Sequence, residues 1–142
     1  MFIEEKLALL KQELSKEDFT IRYTDFKSIM SKIEAKFFSS KNPSYKYNNW
    51  DKRLEGFSES SFSESTFDYL GSTLKNSNKY WWIYVDSPCY SNSRHRLFDA
   101  TLVGGERLSY LFSDSPIYIV HKKYDWMMVL DRSRKIIKEQ SI

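Results

Sequence analysis

Cys89, His95 and Asp99 lie close together in the sequence, and His121 follows later. These residue types are the parts of a thiol nucleophile, a general base and the carboxylate that orients it. Their spacing does not single them out. One cysteine, two histidines and many aspartates occur by chance in a chain of this size, and a half-buried thiol with surface imidazoles accounts for them equally well. Two histidines do not supply the three or four ligands of a metal site. Gly104-Gly105 has no lysine and hydroxyl residue after it and lacks dinucleotide-turn spacing, so no phosphate cradle is indicated. The residues therefore name no catalytic group, no metal and no cofactor. An enzyme or ligand-binding domain, were this one, would place its pocket near Cys89, His95, Asp99 and His121.

Three other groups carry binding chemistry. Glu55, Glu59, Glu64 and Asp68 fall in a stretch, 54–69, that has no Lys or Arg. Glu64 and Asp68 share a face of an expected helix, where like charges repel slightly. A solvated face explains them, and so does a docking surface for a basic partner. In Tyr80–Asp86, strand alternation puts Trp81, Ile83 and Val85 on the core side. Trp126 is expected in the core as well. Trp82 and Tyr84 then fall on a half-covered face, and such aromatics anchor interfaces. An open Tyr80, Trp82, Tyr84 face would favour a dimer or a partner, since large apolar patches are seldom left bare. Lys122, Lys123, Arg132, Arg134, Lys135 and Lys138, with Arg94 and Arg96 earlier, interleave with Tyr90, Tyr118 and Tyr124. Basic residues with aromatics suit single-stranded nucleic acid. No recognition pattern accompanies them, and lysines beside strands more often block pairing with other chains. Nucleic acid is the third-ranked partner.

The elements that must position these residues are legible from periodicity. Ile117–Leu130 organises the chain: two short β-branched or aromatic runs flank His121–Asp125, which reads as two central strands. Tyr80–Asp86 is a third strand, stopped by Ser87-Pro88. Arg96–Ala100 pairs back on it as a hairpin, after a loop from Cys89 to His95. Lys135–Lys138 is a last strand. Phe2–Leu14 reads as a helix with Glu4 and Glu5 in its first turn and Lys11 near its end, as the helix dipole favours. A second helix starts after Thr24 or Asp25 and buries Phe26, Ile29, Met30, Ile33 and Phe37, leaving Lys27, Lys32, Glu34 and Lys36 to solvent. Ser39–Arg53 reads as a long, locally basic connection. The serine cluster at 58–65 reads as loop, followed by a short helix through Phe67, Leu70 and Leu74. Thr101–Phe112 is a further helix, which Gly104-Gly105 would delay because two glycines cost about 2 kcal/mol against alanines.

Composition bounds the class. The chain has 142 residues, 41% apolar and 17% aromatic, which supplies a real core despite a mean hydropathy of −0.59. Its net charge of +3 is too balanced to imply nucleic acid and is unlike the strongly acidic inhibitors expected for nucleases. No apolar run approaches the roughly 18 residues that span a bilayer. The N-terminus lacks the basic-then-apolar order of a signal peptide. Cys89 has no partner for an intramolecular disulfide, which fits a reducing cytoplasm. The expectation is one α+β domain over 1–142, with N-terminal helices packed on one face of a mostly antiparallel sheet of about five strands.

The segments YWWIYVDSP, RLFDATL and YIVHKKYDWMMVLD resemble the C-terminal half of a family of small uncharacterised bacterial proteins. The resemblance covers about residues 80–137. Its motifs are sheet-core residues, so it implies a shared fold and carries over no catalytic residue. Small families of this kind are often immunity proteins of toxin systems, an argument by association. The expected function is a non-enzymatic intracellular interaction protein whose partner is another protein, with no membrane and a dimer as one possible state. Immunity by surface complementarity to a toxin is its most specific form.

Overall fold

The structure is a computed structural model that describes residues 3–21, 25–37, 58–61, 65–75, 77–86, 94–112, 115–131 and 136–140. The expected Ser39–Arg53 connection, Cys89, Glu55 and Glu64 lie outside the described residues. The elements run α1 (Ile3–Glu13), β1 (Phe19–Ile21), α2 (Phe26–Phe37), β2 (Ser58–Ser61), α3 (Thr66–Thr73), β3 (Tyr80–Asp86), β4 (Arg94–Ala100), α4 (Leu102–Leu111), β5 (Ile117–Val120), β6 (Met127–Asp131) and β7 (Ile136–Gln140). The α+β class and the antiparallel sheet are as expected. Among the described residues one sheet of seven strands holds the fold together, in the order β1-β4-β3-β5-β6-β7-β2, with every neighbour antiparallel. The strands expected over 80–138 are β3 to β7. The two additional strands, β1 and β2, are short edges. β2 falls on serines that read as loop, because a short edge strand needs a ladder partner rather than an apolar side chain. Its partner is β7, with Glu59 in register with Lys138.

Both faces of the central strands β3, β5 and β6 are buried, with α1, α3 and α4 over one and α2 over the other, where helices on one face were expected. Tyr80, Trp82 and Tyr84 of β3, Phe98 of β4, Ile117 and Ile119 of β5, and Met128 and Leu130 of β6 form one core with Leu7, Leu10, Leu70, Leu74, Leu108 and Phe112 of the chain around α1, α3 and α4. Trp81, Ile83, Val85, Leu97, Tyr118, Val120, Met127 and Val129 form the other, under Ile29, Met30, Ile33 and Phe37 of α2. The sequence carries the reason. YWWIYV, IYIV and MMVL are continuous apolar runs without polar alternation, which is the pattern of strands covered on both sides. Burying a side chain of leucine size or larger contributes roughly 1.5–3 kcal/mol, so neither row is spared a cover. Glu34, expected on the polar face of α2, is buried with it.

The face of α1, α3 and α4 is closed by a close approach. α4 begins at Leu102 and includes both glycines that local propensity argued against. Thr101 caps it, its hydroxyl accepting from the Gly104 N–H at 3.3 Å. The Thr101 N–H donates to the Asp18 carbonyl at 2.9 Å, which ties the start of α4 to the turn before β1. That turn is itself held by the Asp18 carboxylate, which accepts from the Ser15 N–H and hydroxyl, each at 3.2 Å. A Cβ on Gly104 would run into the Asp18 carbonyl, and a Cβ on Gly105 would lie 2.5 Å from the Trp82 ring. Beneath them, the Trp82 indole N–H donates to the Ala100 carbonyl at 3.0 Å, and the Tyr84 hydroxyl to the Gly105 carbonyl at 2.7 Å. Tyr84 stacks on Phe112 at 5.2 Å. On the far side of β3, Val85 lies beyond the ladder to β5, and its N–H is satisfied by the Ser115 hydroxyl at 2.8 Å.

Two glycine-to-alanine changes separate these effects. Gly105→Ala is expected to lower unfolding free energy by about 1–3 kcal/mol in denaturant melts, because the ring below it cannot retreat. Gly71→Ala in exposed α3 meets nothing within 4 Å and is expected to raise it by about 0.5–1 kcal/mol. Equal responses at the two sites would show that α4 does not press on Trp82.

Candidate functional site

The described members of the expected pocket, His95, Asp99 and His121, are not brought together. His95 and Asp99 stand on β4 opposite Val85 and Trp81, so they share the α2 face of the sheet. They are four positions apart along the strand, about 13 Å between Cα atoms, too far for a base and the group that orients it. His95 is buried, edge-on to Tyr118 with ring centroids 6.5 Å apart, rather than at the surface. His121 lies at the β5–β6 turn, its Nδ1 3.4 Å from the Asp125 carboxylate. Its ring stacks on Trp126, which in turn packs against Tyr80. Trp126 is thus half-buried at the edge of the core rather than in it. Among the described residues, no three of His, Cys, Asp and Glu are grouped to hold a metal.

Trp82 and Tyr84 are fully buried, so the open aromatic face expected to anchor a partner does not exist. Asp68 is exposed, but α3 itself explains it. It lies in the first turn, its N–H donates to the capping Ser65 hydroxyl at 3.2 Å, and a carboxylate is favourable at a helix start. Glu59 is placed on edge strand β2.

What the fold does assemble is a charged and aromatic cluster at the end of the sheet where the β5–β6 turn folds back. Thr20, Asp99, Trp81 and Val120 follow one another across β1, β4, β3 and β5 in register. Lys122, expected as a strand-blocking charge, instead reaches over this row, because β5 is an interior strand with no edge to protect. Its Nζ lies 2.8 Å from Asp99 Oδ1 and 3.8 Å from the centroid of the Trp81 ring. The Asp99 side chain is only 14% exposed. A carboxylate so far out of water needs a compensating cation.

The turn that delivers Lys122 is tightly made. The Tyr124 N–H donates to the His121 carbonyl at 2.8 Å and the His121 N–H to the Trp126 carbonyl at 3.1 Å. Tyr124 has φ of 61°, a left-handed conformation that glycine or asparagine adopts at less cost. A non-glycine there stores about 1–3 kcal/mol. The side chain of Tyr124 offsets this cost by packing against the core under α2, which includes Trp81.

A second feature escaped the sequence reading. Val103 and Tyr110 of α4 are 48% and 65% exposed, and Leu9 of α1 is 48% exposed. Val103, Arg107 and Tyr110 recur at i, i+4 and i+7, one stripe on the outer side of α4. Arg107 pairs with Glu13 of α1, which joins the two helices across the stripe. The signal was present: Val103 and Tyr110 sit seven apart, away from the buried Leu108 and Phe112.

The Tyr124 hydroxyl titrates above the ordinary tyrosine value of 10.0, chiefly because burial disfavours the anion. The Trp81 hydrogen bond opposes that shift and Asp25 adds to it. A raised folded pKa contributes stability that is fully present below the unfolded value and is lost as pH rises through the folded one. Wild-type melting temperature should therefore fall more steeply above about pH 10 than that of Tyr124→Phe. Parallel pH curves for the two proteins would place the hydroxyl in water.

The chain matches no protein-family model, no curated protein and no solved structure.

Proposed function

We propose that this chain is a non-enzymatic interaction protein that docks another protein through the outer side of α4 and the adjoining α1. The observation that carries the reading is Tyr110, 65% exposed on a helix whose other side is pinned to the core. An exposed tyrosine on a rigid element offers a large amphipathic contact at little entropic cost. Val103 and Leu9 extend the apolar area, and the Arg107–Glu13 pair supplies polar groups within it. Such a surface needs no catalytic motif. Neutralisation of a toxin in the bacterial cytoplasm is the specific form we favour, resting on the resemblance of residues 80–137 and on the lone Cys89.

The nucleic-acid reading is weaker than the sequence suggested. Of the basic residues that raised it, Arg96 is bonded to Glu4 at 2.7 Å and Lys122 to Asp99, so their charge is already answered within the chain. No helix among the described residues is long and apolar enough to cross a membrane.

Tagged wild-type protein should capture a stoichiometric protein partner from the native lysate, identified by mass spectrometry against candidates that include products of neighbouring genes. Tyr110→Ala should weaken the purified complex about thirtyfold, the effect of a 2 kcal/mol interface anchor. Its circular dichroism should stay that of wild type. Undiminished affinity in Tyr110→Ala, together with loss in Glu59→Lys or Asp68→Lys, would move the interface to the acidic segment.

A further inference from the structure

We propose that the Trp81 ring and the Asp99 carboxylate form a recognition site for a small primary alkylammonium, with the Lys122 ammonium as the chain's own occupant. The site has the two parts such a ligand requires. An aromatic face attracts a cation through its quadrupole, indole most strongly. A carboxylate largely removed from water provides a directional acceptor for an N–H donor. Nζ of Lys122 meets both at once, 3.8 Å above the Trp81 centroid and 2.8 Å from Asp99 Oδ1. The second distance is that of a close ion pair, which a primary ammonium can form and a quaternary one, held off by its methyl groups, cannot.

The occupant is tethered but removable. Lys122 belongs to the turn rather than to a strand, its side chain is one-third exposed, and the turn holds Tyr124 at φ 61°. The Asp99 carboxylate and the Trp81 ring belong to paired interior positions of β4 and β3, so they stay in place when the lysine leaves. An external amine must then compete with Lys122, and its apparent affinity falls by the fraction of molecules whose site is open. The site is independent of the α4 docking face.

Lys122→Ala removes three methylenes and the ammonium, which n-propylammonium restores. We expect n-propylammonium chloride to bind Lys122→Ala saturably, read as a rise in melting temperature over sodium chloride of equal ionic strength. Affinity should exceed that of wild type at least tenfold and exceed that of tetramethylammonium for the same variant. Lys122→Ala/Asp99→Asn should lose the response. Should Lys122→Ala not fold in sodium chloride, folding in the propylammonium salt alone supports the site, and folding in neither overturns it. Absence of saturable binding, equal binding by wild type, or equal binding in the double variant also overturns it, as would a preference for tetramethylammonium.

Discussion

The helical side of this protein depends on how closely the first turn of α4 approaches Trp82. Two glycines in succession let the backbone lie directly on the indole and against the Asp18 carbonyl. From that contact the rest follows. Thr101 caps the helix and binds the α1–β1 turn, so α1 is brought alongside α4. Tyr84 reaches the Gly105 carbonyl, and Phe112 lies flat on Tyr84. Each glycine lowers intrinsic helix propensity by about 1 kcal/mol. The burial of a tryptophan and a tyrosine, each covering some 150–250 Å², outweighs that cost.

This contact also marks where the sequence stopped being readable. Helical and strand periodicity located α2 and gave the bounds of β3, since Phe26–Phe37 and Tyr80–Asp86 carry strong one-sided or continuous apolar patterns. The start of α4 was obscured because propensity is local and the reason for Gly104-Gly105 is a neighbour far away in sequence. The same holds for β2, whose serines carry no apolar signal and which exists through pairing with β7. The open face assigned to Trp82 and Tyr84 came from treating β3 as a half-buried strand. Its unbroken YWWIYV run already argued for cover on both sides.

The site was legible in its parts and not in its assembly. Asp99 and His121 were singled out for acid–base work, and Lys122 for an edge charge, yet Asp99 is engaged by Lys122 over Trp81. Only the register of β3 with β4 and the back-folding of the β5–β6 turn bring those residues together. Tyr124 tells the same story: a strained backbone angle is unreadable in sequence, and its compensation is packing against a core built from other strands and α2. On the opposite face, α4 turns one side to the core and leaves Val103 and Tyr110 outward. The two surfaces are thus built differently, one as a closed charge–aromatic contact and one as an uncovered stripe on a helix that cannot tilt away.

α4 and β3 form one cooperative unit, locked through Trp82 and the paired glycines. Native-state hydrogen exchange across a denaturant series tests it most directly, because local and global openings separate by their free energies. The amides of Leu108 and Ser109 in α4 should exchange with the same free energy as those of Trp82 and Tyr84, that of global unfolding. Exchange of the α4 amides through a smaller, denaturant-independent opening, while β3 stays protected, would contradict it.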